Sequence, residues 1–164
     1  MDGHRIKAPL VYSRGYDKAW VYGALRIRDG QVLTQTAPSR NTAGYLELLR
    51  GIDQDNPVGD LYLITDNLSS HTSGPIRIRD WLAAHPRVQQ VFIPVGACWL
   101  NLIEAWWRRL RRAAYAGQCF ANRAEIALAT RVATGQLNRH THPWVWGRPP
   151  PPHRMLRRRF IYHC

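Results

Sequence analysis

The chain has 164 residues, of which 45% are hydrophobic and 10% aromatic, so it can form one domain with a substantial apolar core. Its formal net charge of +12 exceeds what solubility requires, and we expect a polyanionic partner. The three cysteines are widely spaced, which favours neither a disulfide scaffold nor a zinc site and is typical of a reducing compartment. No run of about 18 apolar residues occurs, so we expect no membrane span.

Hydrophobic periodicity and turn residues predict alternating strands and helices. The expected elements are a strand over 18–28, an Asp29-Gly30 turn, a strand over 31–36, a helix from Ser39 or Asn41 to about 53, a strand over 61–65, a helix over 75–84, a strand over 88–95, and helices over 99–116 and 122–138. The apolar run at 61–65 should be covered on both faces. This order predicts an α/β fold with a mixed sheet flanked by helices.

The positive charge is concentrated in the C-terminal third. Residues 1–104 carry 11 basic and 10 acidic side chains, whereas residues 105–164 carry 12 arginines and one acid, Glu125. The arginine bias of a GC-rich genome would explain the preference over lysine but not this segregation. We therefore expect the C-terminal third to face a phosphate backbone, which guanidinium groups bind by ion pairing and counterion release.

The end of the chain, residues 143–164, contains four consecutive prolines and a run of three arginines. We expect an extended or partly disordered tail here, outside a domain that spans residues 1–142. The run comprises Arg157, Arg158 and Arg159, which form either a flexible phosphate-binding segment or a solvated end.

Asp66 follows the apolar run LYLIT, where a buried strand should end at the edge of the sheet. Binding sites in open α/β sheets lie just beyond the carboxyl ends of strands. An Asp-Asn pair at such a position is, by itself, more often a turn former. Asp66 alone therefore leaves a turn and a metal ligand as alternatives.

Glu104 lies on the predicted long helix, in the segment CWLNLIEAWWRRLRR. It is adjacent to an apolar stripe at helical spacing, formed by Leu100, Ile103, Trp107 and Leu110. A carboxylate next to the core is costly unless it is paired or binds a metal, so the alternatives are an ion pair with Arg108 and a metal site. Two such carboxylates suit a divalent-metal phosphoryl-transfer site, since Mg²⁺ prefers oxygen ligands.

Three segments together carry a resemblance to a known family: TDNLSSH at 65–71, WLAAHPRV at 81–88 and IPVGACWLNLIEAWW at 93–107. They resemble the catalytic core of bacterial insertion-sequence transposases of the mariner-like superfamily, which are RNase H-like enzymes with an Asp-Asp-Glu triad. Asp66 matches the second aspartate and Glu104 the glutamate, with 37 residues between them. The resemblance covers roughly residues 18–140 and implies an RNase H-like fold.

The chain departs from this pattern at the first aspartate, which the resemblance places on a strand before the 18–28 strand. Asp2 is the sole acid before Asp17, and the segment DGHRIKAP around it looks like the turn-rich region that follows such a strand. We therefore expect the first strand to be missing or incomplete in an N-terminally truncated transposase. With an incomplete triad, we expect weak or no strand cleavage by this chain alone.

The resemblance implies cleavage and transfer of DNA strands at insertion-sequence ends, with Mg²⁺ or Mn²⁺ held by the catalytic Asp66 and Glu104. Asn67 would orient Asp66 or bind the metal through water. His71 would contact phosphate or metal-bound water, unless it caps the next helix. Asn101 would cap or pin the helix that carries Glu104.

The implied partner is DNA, both transposon ends and target, in a bacterial cytoplasm with nucleoid association on DNA; a homodimer fits paired transposase complexes. The DNA backbone would follow a basic run formed by Arg108, Arg109, Arg111 and Arg112. Three tryptophans, Trp99, Trp106 and Trp107, are either core residues or stacking platforms for unpaired bases. The alternative function is a non-catalytic DNA-binding or transposase-interacting fragment that retains the carboxylates as relics.

Overall fold

The structure, a computed structural model, describes residues 18–66, 76–95, 101–144 and 159–163. Its elements are β1 (Trp20–Arg26), β2 (Val32–Ala37), α1 (Thr42–Asp55), β3 (Asp60–Thr65), α2 (Ile76–Ala84), β4 (Val88–Phe92), α3 (Ile103–Leu110), a π-helical segment (Arg111–Tyr115), α4 (Arg123–Asn138) and β5 (Arg159–His163). Within these ranges, no helix is both long and apolar enough to cross a lipid bilayer.

Five strands form one sheet in the order β2-β1-β5-β3-β4. The β1–β2 hairpin is antiparallel, β5 is antiparallel to β1 and parallel to β3, and β3 is parallel to β4. The predicted mixed sheet with flanking helices is therefore confirmed. Because β3 and β4 run in the same direction, their carboxyl ends lie at the same edge of the sheet.

The centre of this sheet is the main difference from the sequence-based expectation. We predicted an extended tail over 143–164, but Arg159–His163 form β5, in register with Asp60–Ile64 of β3. The segment RFIYH is rich in aromatic and β-branched residues, which suit a strand. It is too short for periodicity to reveal, and its partner strand is about a hundred residues earlier in the chain. Arg159 therefore lies in the sheet, whereas Arg157 and Arg158 lie outside the described residues.

Local sequence signals account for the turns and helix ends. Gly30 has a φ of 74°, as the predicted hairpin turn requires, and the Asp29 carboxylate accepts a 3.0 Å hydrogen bond from the Gln31 amide. Asn41, and not Ser39, caps α1 by accepting a 2.9 Å hydrogen bond from the Gly44 amide. Asn122 caps α4 in the same way, which confirms the predicted helix start.

The helices pack on both faces of the sheet and produce two apolar clusters. The cluster under α1 and α2 includes Tyr45, Leu48, Leu49, Ile52, Leu61 and Leu63. The cluster under α3 and α4 includes Leu25, Val32, Ile103, Trp106, Leu110 and Ala133. Burying each large apolar side chain contributes about 1.5–3 kcal/mol, so these two clusters hold the helices in place.

The prediction that β3 is covered on both faces needs correction. Leu61, Leu63 and Thr65 are buried, but the alternate side chains Tyr62 and Ile64 are only half-buried. The side chains of the strand are therefore buried on one face and only partly buried on the other.

Candidate functional site

Asp66 is the first residue after β3 and is half-buried. The strand end before it is held in place, since the Thr65 carbonyl accepts a 2.9 Å hydrogen bond from the Ile93 amide. The buried Thr65 hydroxyl also accepts a 3.2 Å hydrogen bond from Gln90. These contacts place the Asp66 backbone at the shared carboxyl edge of β3 and β4, as the sequence predicted.

Glu104 lies in the first turn of α3 and is exposed. Its helix is oriented by a buried stripe of Ile103, Trp106 and Leu110. Trp106 takes the position in this stripe that we predicted for Trp107, which is half-buried. Glu104 forms no ion pair with Arg108 or with any other basic side chain in the described ranges. The ion-pair interpretation of this carboxylate is therefore wrong.

Two surface cavities bring the predicted carboxylates together, because Asp66, Asn101 and Glu104 line both of them. The first, which we call the basic cavity, has a volume of about 520 Å³ and is completed by Leu102, Ala105, Arg108, Arg111 and Trp144. The second, which we call the aromatic cavity, has a volume of about 240 Å³ and is completed by Trp20, Val21, Tyr22, Gly23, Arg40, Leu48, Ile103 and Trp107.

The Asn101 side chain is buried at the junction of these cavities, with 8% of its surface exposed. Its carbonyl oxygen Oδ1 has no hydrogen-bond partner among the described residues. The helix start receives no side-chain cap; instead, the Asn101 backbone carbonyl accepts a 3.3 Å hydrogen bond from the Glu104 amide. Of the two roles expected for Asn101, the side-chain cap is therefore wrong, the pinning role stays a prediction, and the amide oxygen is available to the cavities.

The four arginines of the predicted basic run have different positions. Arg108 and Arg111 line the basic cavity, whereas Arg109 and Arg112 are exposed and line neither cavity. The reason is helical rotation, because positions four and seven residues after Glu104 return to its face and positions five and eight do not. The Arg111 guanidinium also donates a 3.4 Å hydrogen bond to the Trp107 carbonyl.

Two tryptophans of α3 can now be assigned. Trp106 is 1% exposed, so it is a core residue and cannot stack on a base. Trp107 lines the aromatic cavity and packs on Gly23 of β1, where a Cβ atom would lie only 2.7 Å from the Trp107 ring. Glycine at this position therefore allows α3 to approach the sheet closely. Asn67, His71 and Trp99 lie outside the described residues.

Trp20, Arg40 and Trp144 are among the cavity-lining side chains that sequence reasoning did not assign to the site. Trp20, at the start of β1, is 42% exposed, and the Arg40 guanidinium lies 5.4 Å above its ring. Trp144 reaches the basic cavity because its amide donates a 2.9 Å hydrogen bond to the Ile27 carbonyl. The signal available for Trp20 was a large aromatic side chain at a strand end, whereas Arg40 and Trp144 carried no local signal.

The donors around the cavities suit a hard divalent cation. Two carboxylates and one amide oxygen are ligand types that Mg²⁺ and Mn²⁺ prefer. Among the described residues, no group of three or more histidine, cysteine, aspartate or glutamate side chains could hold a metal. The carboxylates thus fit the metal that the resemblance implies, although the complete triad is not formed within these ranges.

Comparisons with known proteins agree with this fold. The catalytic core domain of BIV integrase has a similar fold, with a TM-score of 0.54 and 22% sequence identity over 71% of this chain and 73% of that chain. This likeness confirms the RNase H-like fold. The insertion element IS630 uncharacterized 39 kDa protein of Shigella sonnei is 27% identical over 95 residues, which are 57% of this chain. The matched region spans about a quarter of that relative, 27% of its length.

A family model described as DDE superfamily endonuclease matches residues 3–127. This match includes β1 to the start of α4, and with them Asp66, Asn101 and Glu104. The match covers well over half of the chain, and the chain therefore belongs to the DDE superfamily endonuclease family.

Proposed function

We propose that the chain is the catalytic portion of an insertion-sequence transposase, which cleaves DNA strands at the ends of the element and joins them to target DNA. Asp66 and Glu104 would hold Mg²⁺ or Mn²⁺. The observation that carries this proposal is the shared lining of two cavities by carboxylates that are 38 positions apart in the chain. Membership of the family and the insertion-element relative support it.

The bound cation would activate the attacking oxygen and stabilise the leaving oxygen of the phosphodiester. The chain supplies rigid positions for its ligands. Asp66 follows a strand end held by hydrogen bonds, and Glu104 lies on a helix held by three buried side chains. Ligands on rigid elements stay close to the positions that phosphoryl transfer requires.

Arg108 and Arg111 would bind the phosphates that flank the cleaved bond, because they line the same cavity as the carboxylates. Guanidinium groups bind phosphate oxygens with paired hydrogen bonds and stay charged at all working pH values. They also offset the repulsion between a polyanionic strand and two carboxylates. DNA is therefore the proposed partner, with the chain acting in the bacterial cytoplasm on the nucleoid, and a homodimer is the proposed assembly on paired ends.

Metal binding tests the site separately from catalysis. In the presence of Mn²⁺ at about one hundred times its dissociation constant, we expect the wild-type chain to gain about 2.7 kcal/mol of stability. Asp66→Asn and Glu104→Gln should each lose most of this gain while folding normally without metal. Thermal unfolding at a series of Mn²⁺ concentrations measures the effect, with Asp60→Asn, an exposed acid at the other end of β3, as the matched control.

A plasmid-nicking assay tests the activity. We expect slow nicking that requires Mn²⁺ or Mg²⁺ and disappears in Asp66→Asn. If Mn²⁺ leaves the unfolding temperature unchanged and Asp66→Asn binds DNA as the wild type does, the chain is a non-catalytic DNA-binding fragment and the proposal is wrong. Rapid nicking by the wild type would instead show that a third carboxylate is not limiting.

A further inference from the structure

The strongest unexplained feature of the molecule is the Asn101 amide oxygen. It is an acceptor on a side chain that is 8% exposed, and none of the described residues donates a hydrogen bond to it. A buried acceptor without a partner has lost its hydrogen bonds to water and gained none in return, which destabilises the folded state. Such a group requires an explanation, and one explanation is a ligand that the site takes up during function.

The surroundings of Asn101 indicate which ligand this is. Its side chain lines both cavities, and in each cavity the two carboxylates Asp66 and Glu104 are also present. An acceptor beside two carboxylates has no favourable contact with an anion or with a phosphate oxygen. A cation satisfies all three groups at once, and an amide oxygen is a normal ligand of hard divalent ions.

We propose that Asn101 Oδ1 is the third oxygen donor to the divalent cation held by Asp66 and Glu104. This inference rests on the proposed function, because it takes the metal site of the two carboxylates as its starting point. A ligand role thus replaces the cap or pin expected from the sequence. The amide would complete a donor set of two carboxylates and one neutral oxygen.

A competing role for Asn101 is purely structural. Its amide nitrogen could donate a hydrogen bond to a carboxylate and pin it. The two roles make opposite predictions for Asn101→Asp, because aspartate keeps an oxygen ligand and adds negative charge but cannot donate. A metal ligand should therefore be improved by this substitution, whereas a pinning donor should be lost.

The experiment measures Mn²⁺ binding directly, by the loss of the free-ion electron paramagnetic resonance signal during titration. Asn101→Asp should bind Mn²⁺ at least about tenfold more tightly than the wild type, and Asn101→Leu about tenfold more weakly. Without metal, Asn101→Asp should unfold at a lower temperature because three carboxylates repel one another, and Mn²⁺ should reverse this loss. Gln118→Glu adds a carboxylate at an exposed position that lines neither cavity, and it should bind as the wild type does.

Asp66→Asn and Glu104→Gln test the metal site independently of the role of Asn101. If these variants lose Mn²⁺ while Asn101→Leu keeps wild-type affinity, the metal site stands and the role of Asn101 is refuted. Equal weakening in Asn101→Asp and Asn101→Leu also refutes it and assigns a pinning role. If the wild type binds no Mn²⁺, both the proposed function and this inference fall.

Discussion

Acidic side chains near the amino end of β3 form ion pairs with arginines, whereas Glu104, near its carboxyl end, forms none in the described ranges. At the amino end, Arg26 contacts Asp29 at 2.8 Å and Asp55 at 3.2 Å. Arg87 forms an ion pair with Asp53 and donates hydrogen bonds to two backbone carbonyls. These acids lie in short loops and at a helix end, where an arginine joins them to a neighbouring element.

At the carboxyl end, aromatic packing replaces ion pairs as the means of holding α3 in place. Glu104 has no basic partner in the described ranges, and α3 is held by Trp106 in the core and by Trp107 against Gly23. An arginine paired with this carboxylate would compete with a metal. Acids at the amino end of β3 thus join neighbouring elements through ion pairs, whereas Glu104 stays available for a ligand.

The largest effect is expected from breaking β5, the strand between β1 and β3. Ile161→Pro removes an amide opposite Tyr62 in the centre of the sheet and should cost about 3 kcal/mol or more of unfolding free energy. Because β5 lies between β1 and β3, the whole sheet should be destabilised, and the stabilisation by Mn²⁺ should disappear as well. Urea unfolding measures this, and Ile161→Val, which keeps the amide and the branched side chain, should remain close to the wild type. A wild-type curve for Ile161→Pro would contradict the position of β5.

Packing at the carboxyl end can be tested at Gly23. An added methyl group would lie 2.7 Å from the Trp107 ring, so Gly23→Ala should cost about 1–3 kcal/mol and displace the ring from the aromatic cavity. Tryptophan fluorescence and urea unfolding together check both effects. Gly135→Ala is the matched control, because nothing lies within 4 Å of its added methyl group, and it should raise stability by up to about 1 kcal/mol. Equal effects of the two substitutions would refute the close approach.

In the absence of metal, removal of a negative charge should lower the unfolding free energy more at the amino end of β3 than at its carboxyl end. Asp53→Asn leaves Arg87 with a neutral partner and should cost about 1–2 kcal/mol, since both side chains are largely buried. Glu104→Gln removes a carboxylate without an ion pair and should change the unfolding free energy by less than about 0.5 kcal/mol. Urea unfolding in buffer containing a chelator measures both variants. A large loss in Glu104→Gln would show that this carboxylate also has a structural role.

The smallest stability changes, but a clear difference in DNA binding, are expected from the arginines of α3 and the π-helical segment. The binding constant for duplex DNA falls as salt rises, and a plot of its logarithm against the logarithm of salt concentration has a characteristic slope. In the double variant Arg108→Ala with Arg111→Ala, the magnitude of this slope should decrease by about 0.9 for each phosphate that is no longer neutralised. Arg109→Ala with Arg112→Ala removes the same charge from outside the cavities and should have a weaker effect. Fluorescence anisotropy at several salt concentrations distinguishes the pairs. Equal effects of the two pairs would mean that net charge, and not the cavity, determines binding.

The local sequence was sufficient to predict most of the fold. Apolar periodicity, glycine turns and asparagine caps act within a few residues, and for that reason the first four strands and the helices were predicted near their observed positions. Apolar patterns singled out Asp66 and Glu104 but left a turn and an ion pair as alternatives, and the resemblance to transposases made both residues predicted metal ligands. The structure places both carboxylates in the lining of the same two cavities.

Three features depend on long-range packing that no local pattern predicts. The strand β5 depends on pairing with residues about a hundred positions earlier, which a five-residue segment does not encode locally. The rotation of α3 depends on whether Trp106 or Trp107 enters the core. This rotation determines that Arg108 and Arg111, and not their neighbours, line the basic cavity. The unsatisfied oxygen of Asn101 depends on burial by packing, which leaves it without a donor among the described residues. Local patterns thus predicted the helices and strands and singled out the two acids, whereas long-range packing determined which side chains surround those acids.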